Sequence, residues 1–164
     1  SRMADLGDAI HGFIAGDPGG DVAERNAVAG QFLRNSGLSA QVAVGTLVDI
    51  ADRFDAWLSG HASGLRLSEW PVRWVLPDGR ALSGDIDLLV DTDQGWVLID
   101  HKSFPGDQSG RDERLKKWAG QLSAYRAAIE KATARPVAEV WVHLPIRGEV
   151  VRLEIPREAP LDGA

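Results

Sequence analysis

The stretch "SGDIDLLVDTDQGWVLIDHKS", residues 83–103, sets Asp87, Asp100 and Lys102 within two apolar runs separated by a short turn. Two carboxylates held close together repel unless a proton or a cation lies between them. Hard oxygen ligands with open positions suit Mg²⁺ or Mn²⁺. An ammonium beside them can orient a water or stabilise charge developing on a phosphate. Two acids and a lysine are thus the components of metal-assisted phosphodiester hydrolysis. A second account needs no chemistry, because opposite charges facing each other across antiparallel strands form mildly stabilising surface pairs. The run "WVLID" weighs against it. So apolar a strand reads as central, and an uncompensated charge buried at its end is costly.

Which of these residues meet depends on strand alternation. In the first strand Asp85 and Asp87 fall on one face, with Ile86, Leu88 and Val90 opposite. In the second, Trp96, Leu98, Asp100 and Lys102 share a face, and Val97, Ile99 and His101 take the other. One strand pair is therefore expected to present Asp87 beside Asp100 and Lys102, with His101 pointing away.

Around this hairpin the periodicity changes twice. Helical spacing covers "MADLGDAIHGFIAG", then about residues 21–35 and 40–59, so residues 1–60 form a helical part. Residues 61–158 alternate as "LRLSEWPVRWVL", "ALSGDIDLLVD" and "WVLIDHKS", pass through a long helix in "RDERLKKWAGQLSAYRAAIEKAT", and close with two strands around Arg147 and Gly148. Residues 159–164 read as a loose polar tail. This order predicts one domain over 1–164, an α/β arrangement of five strands with helices packed on the sheet.

Bulk composition sets outer limits. With 164 residues, 44% hydrophobic and 26% charged, the chain can bury a substantial core. No apolar run is long enough to span a membrane. The absence of cysteine excludes disulfides, thiolate metal sites and a cysteine nucleophile. A cytoplasmic location is the expectation. A net charge of -6 argues against bulk electrostatic gripping of nucleic acid, while leaving room for a local basic path. The six tryptophans fall mostly on apolar faces and are expected to serve packing.

"GDIDLLV" followed by "VLIDHKS" resembles the signature of the PD-(D/E)xK nucleases, in which an acid ends one strand and an acid-x-lysine ends the next. More narrowly, it is similar to the RecB-type nuclease domain of bacterial helicase-nucleases. Three further stretches follow in the family's order: Gly7 and His11 in "LGDAIHGFI", Glu69 and Pro71 in "SEWPV", and Gln121 and Tyr125 in "QLSAY". The resemblance implies a restriction-endonuclease-like core with a central mixed sheet, a Mg²⁺ or Mn²⁺ cofactor and DNA as substrate. It also implies a helicase motor, in the same chain or in a partner protein, that delivers single strand, with the chain a fragment of a larger protein acting in recombinational repair.

The roles implied are metal ligation by His11, Asp87, Asp100 and the main-chain carbonyl of His101, and catalysis by Asp87, Asp100 and Lys102. Gln121, Tyr125 and Glu69 would support the site or contact DNA. Arg114 and Lys117, in the basic opening of the long helix, would follow the phosphate backbone. On the residues alone, that opening is equally a solvated helix face with pairs such as Glu113 to Lys117. Asp85 is left out of the catalytic set, and His61 and His143 are given no role. Two rival readings stay open: a silent DNA-binding or protein-docking module of the same fold, and an α+β binding domain whose strand charges are surface pairs.

Overall fold

The computed structural model describes residues 2–157. The tail expected over 159–164 lies outside them. Three helices come first, α1 (Arg2–Gly16), α2 (Val22–Asn35) and α3 (Val44–His61). Strands β1 (Leu65–Val75), β2 (Ala81–Thr92) and β3 (Gly95–His101) follow, then α4 (Gln108–Thr133), β4 (Val137–Leu144) and β5 (Glu149–Leu153). The helix starts have local causes. Asp21 accepts from the Glu24 N–H at 2.9 Å and Asp107 from the Gly110 N–H at 2.9 Å, each capping the helix that follows it. The third helix begins at Val44, later than its periodicity predicts, because Gln41 and Val42 donate back to the Leu38 carbonyl in a turn.

The five strands lie in sequence order, antiparallel except for the parallel pair β3 and β4. A parallel pair needs a long crossover, and α4 supplies it. The sheet is therefore mixed, as expected. On one face α4 packs Leu122 and Ile129 against Ile86, Leu89, Leu98 and Val140. On the other, Phe54 and Leu58 of α3 cover Leu88, Val90, Val97 and Ile99. A third cluster joins α1, α2 and α3 through Ile10, Phe13, Leu33 and Leu47. Trp96 is buried, and the other five tryptophans pack half-buried against these cores, in keeping with their expected role. Among the described residues no helix is long and apolar enough to cross a membrane.

One expectation fails in an informative way. Ile86 packs on the α4 face, while Leu88 and Val90 face α3, so simple alternation does not run through Asp87. The cause lies in the neighbouring strand. The β1–β2 register passes from Ser68 opposite Leu88 to Trp70 opposite Ile86, and Glu69, at the missing step opposite Asp87, has φ of 52°. A glutamate in left-handed backbone costs about 1 kcal/mol or more. Both strands change face at this step, and it is the step that carries the acid.

Candidate active site

The two acids meet with Asp87 in the middle of β2, not at a strand end as the family signature leads one to expect, and Asp100 near the end of β3. The β2–β3 pairing stops at Leu88 and Ile99, one residue short of both acids. The His101 main-chain N–H donates to Asp87 Oδ2 at 2.7 Å, which draws the first carboxylate over the end of β3. Both acids are buried, Asp87 at 9% exposure and Asp100 at 4%. Burial first, and then the neighbouring Asp87 charge, push the Asp100 carboxyl up to about 7, with Lys102 opposing. Burial also works to raise Asp87, but His11 and the His101 N–H outweigh it and hold its pKa below the usual range.

Histidine 11 arrives from α1. Its Nε2 lies 3.0 Å from Asp87 Oδ1 and 3.5 Å from Glu69 Oε1, and the contact with Asp87 raises the pKa of its ring. The strained turn at Glu69 thus brings its carboxylate to the site, although more than half of that side chain is exposed. Helix α1 can approach so closely because residue 7 is glycine. A Cβ there would collide with the Oγ of Ser103, just past β3.

On the α4 side, Lys102 Nζ lies 3.0 Å from Asp100 Oδ2 and donates to Gln121 Oε1 at 2.9 Å. Gln121 Nε2 in turn donates to the Tyr125 hydroxyl at 3.2 Å. That hydroxyl rests against Gly84, where an added Cβ would stand 2.7 Å away. The glycine of "GDID" and the tyrosine of "QLSAY" are therefore one packing contact. Asp85 is exposed and stays outside the cluster.

Two histidines differ from expectation. Instead of pointing clear of the site, the His101 ring stands edge-on to His11 with centroids 5.7 Å apart. Its Nδ1 lies 2.8 Å from Nδ1 of His143, and the His143 ring stacks on Phe54. Burial holds both rings neutral, His101 at about 4 and His143 at about 3, so one Nδ1 donates and the other accepts. The His143 carbonyl also accepts from the Lys102 N–H at 2.8 Å. His143 thus supports the strand end that carries the lysine. Nothing in its sequence neighbourhood signals this, because its partners arrive through the β3–β4 pairing.

The basic opening of α4 divides. Arg111 is committed to Glu149 and Asp112. Arg114 lies over the Phe104 ring, 5.9 Å from its centroid, and Lys117 is exposed one turn before Gln121. The expected pair of Glu113 with Lys117 is not among the ion pairs of the described residues.

A profile of the PD-(D/E)XK nuclease superfamily matches residues 1–162. The chain belongs to this superfamily. Three curated relatives are named as subunits of an ATP-dependent helicase/nuclease. The protein of Desulforamulus reducens is 32% identical over 75 residues, 44% of this chain and 6% of its own length. That of Pelotomaculum thermopropionicum is 32% identical over 73 residues, again 44% of this chain and 6% of its own. That of Carboxydothermus hydrogenoformans is 37% identical over 60 residues, 37% of this chain and 5% of its own. This PD-(D/E)XK chain therefore spans only a small part of the relatives it matches.

Nucleases of the superfamily generally use divalent metals. Among the described residues no three His, Asp or Glu side chains form a ready-made ligand cage. The donor set nonetheless fits a cation. Two buried atoms of the site, His11 Nε2 and Asp100 Oδ2, lack any hydrogen-bond partner, their 3.0 Å contacts being ion pairs outside hydrogen-bonding angles. Buried polar atoms are seldom left so. A hard cation bound by Asp87 and Asp100 would relieve both the orphaned oxygen and the carboxylate repulsion.

Proposed function

We propose that this chain is a divalent-metal-dependent DNA nuclease domain, hydrolysing phosphodiester bonds in exonuclease fashion beside a helicase motor. The observation that carries the reading is the pair of buried carboxylates, Asp87 against Asp100, with the Lys102 ammonium 3.0 Å from the second. The helicase/nuclease names of the relatives support the motor, and the small share of their length that is matched supports a larger parent protein; a role in recombinational repair and a cytoplasmic setting belong to the same proposal through the family resemblance.

Asp87 and Asp100 offer oxygen ligands for Mg²⁺ or Mn²⁺, His11 offers Nε2, and the main-chain carbonyl of His101 is the further donor that family resemblance names. The chemistry such an ion supplies when bound is polarisation of the scissile phosphate and a lower pKa for the attacking water. The ammonium of Lys102, steadied by Gln121, stabilises the negative charge that grows on the phosphate. Tyr125 fixes Gln121 in turn. Glu69 holds the His11 edge of the site, and Arg114 and Lys117 take phosphates upstream along α4.

The test is degradation of end-labelled single- and double-stranded DNA by the chain and by Lys102→Ala. We expect Mg²⁺-dependent cleavage that EDTA abolishes and that Lys102→Ala slows about a hundredfold or more, the scale of losing one charge-stabilising donor. Equal rates in the two proteins would remove Lys102 from the mechanism. No cleavage, even in the presence of a helicase partner, would favour the silent docking module.

A further inference from the structure

A cavity of about 380 Å³ opens beside the acids on the α1–α3 side of the sheet. One wall is the site itself, His11, Asp87 and His101. Apolar lining comes from Ile14, Phe54, Leu58 and Leu88. At the rim stand two arginines, and neither is free. Arg25 is held by Asp17 at 2.8 Å and Asp52 at 2.6 Å, and Arg66 by Asp55 and Ser59.

These charges decide what can enter. Four carboxylates line the cavity, Asp17, Asp52, Asp55 and Asp87, against two guanidinium groups that are already neutralised. A phosphate finds no unpaired cation there and meets repulsion. A neutral, flat, partly apolar group finds an apolar lining and a rim of acceptors. The volume lies at the lower end of the range for small-molecule pockets, enough for one base and too little for a duplex. Because the wall is made of the groups that would hold the ion, whatever fills the cavity is next to the bond being cut.

We propose that this cavity is a subsite for one unpaired nucleobase of the strand under cleavage, lodged between α1 and α3 beside His11 and Asp87. The proposal rests on the nuclease reading above and gives it a physical basis for strand choice. A base within a duplex cannot leave its stack for the cavity without the cost of unpairing, whereas a single strand has already met that cost.

The experiment uses the chain with Mg²⁺ and a set of labelled single-stranded oligonucleotides, each with one abasic residue at a different position around a common cleavage site. The expected result is one position, adjacent to the cut bond, at which loss of the base lowers kcat/KM by roughly fivefold or more, the lower end of what one base contact is worth. Ala15→Phe, on α1 one turn beyond His11, and Ser68→Phe, on β1, fill the cavity from opposite sides. In either variant the intact substrate should fall towards the abasic one, bringing their ratio close to one. Damage to the fold alone would lower both substrates equally and keep the ratio. A parent enzyme that cleaves but ignores every abasic position, or filling variants that keep the full ratio, would overturn the subsite while leaving the nuclease reading in place. A parent chain that cleaves none of the intact oligonucleotides, even with a helicase partner added, would overturn the nuclease reading and the subsite together.

Discussion

Asp100 is neutral when protonated and closely opposed to Asp87 when not, which ties the stability of the metal-free chain to pH. Its carboxyl is pushed up to about 7 from an ordinary 3.8, chiefly by burial. The stabilisation from holding that proton is therefore full below about pH 4 and is lost as pH rises through 7, on the order of a few kcal/mol. The raised His11 ring acts with the same sign, and the buried His101 and His143 rings with the opposite one below their ordinary 6.5. Asp100→Asn isolates the carboxyl. In EDTA its Tm should exceed that of the parent by a margin that widens from pH 5 to pH 8, and a constant margin would contradict the assignment. Gln121→Ala should slow turnover by about tenfold with little change in KM, since it releases Lys102 without removing it. The acids and the lysine were legible in the sequence because charged residues interrupt two apolar runs at the spacing of a short hairpin. The side from which Asp87 reaches the site was not, because the left-handed turn that redirects it belongs to Glu69 on another strand.

At the scale of elements, periodicity located the helices and strands of the described residues, and the mixed sheet is the one that the family resemblance implied. Contact between elements was harder to read, because it depends on atoms that are missing. Gly7 is the clearest case, since the seat of α1 on the end of β3 requires the absence of a Cβ facing Ser103. Gly7→Ala is expected to lift α1 and move His11 away from Asp87. Overpacking of this kind costs about 1–3 kcal/mol of stability, and displacement of His11 from its proposed place as a ligand should add a loss of metal affinity. Gly7→Ala with Ser103→Gly removes the clashing atoms and should restore both, as melting and Mn²⁺ titration would show. Failure of the double variant to recover metal affinity would mean that the glycine acts through helix propensity and not through this contact.

For the whole molecule, charge decides how the proposed DNA substrate would be held. The net charge is -6, and most of the arginines are spent on internal pairs, such as Arg25 with Asp17, Arg135 with Asp91 and Arg147 with Glu149. Among the described residues in the basic opening of α4 this leaves Arg114, Lys116 and Lys117 outside ion pairs, while Lys102 is held by Asp100 at 3.0 Å. Three phosphate contacts on a single strand imply a slope of log K against log salt of about -2, at roughly 0.7 per contact. Anisotropy of a labelled oligonucleotide between 50 and 300 mM KCl, with Ca²⁺ in place of Mg²⁺, measures it. A slope of -5 or steeper would require a broad basic surface that the described residues do not offer. A slope near -2 means that the domain holds DNA weakly and with little dependence on salt. Such a domain works efficiently only on strand supplied at high local concentration, which a tethered motor provides by making the second encounter intramolecular. The acidic surface that argues against an independent DNA-binding protein is thus compatible with a nuclease domain fed by a helicase.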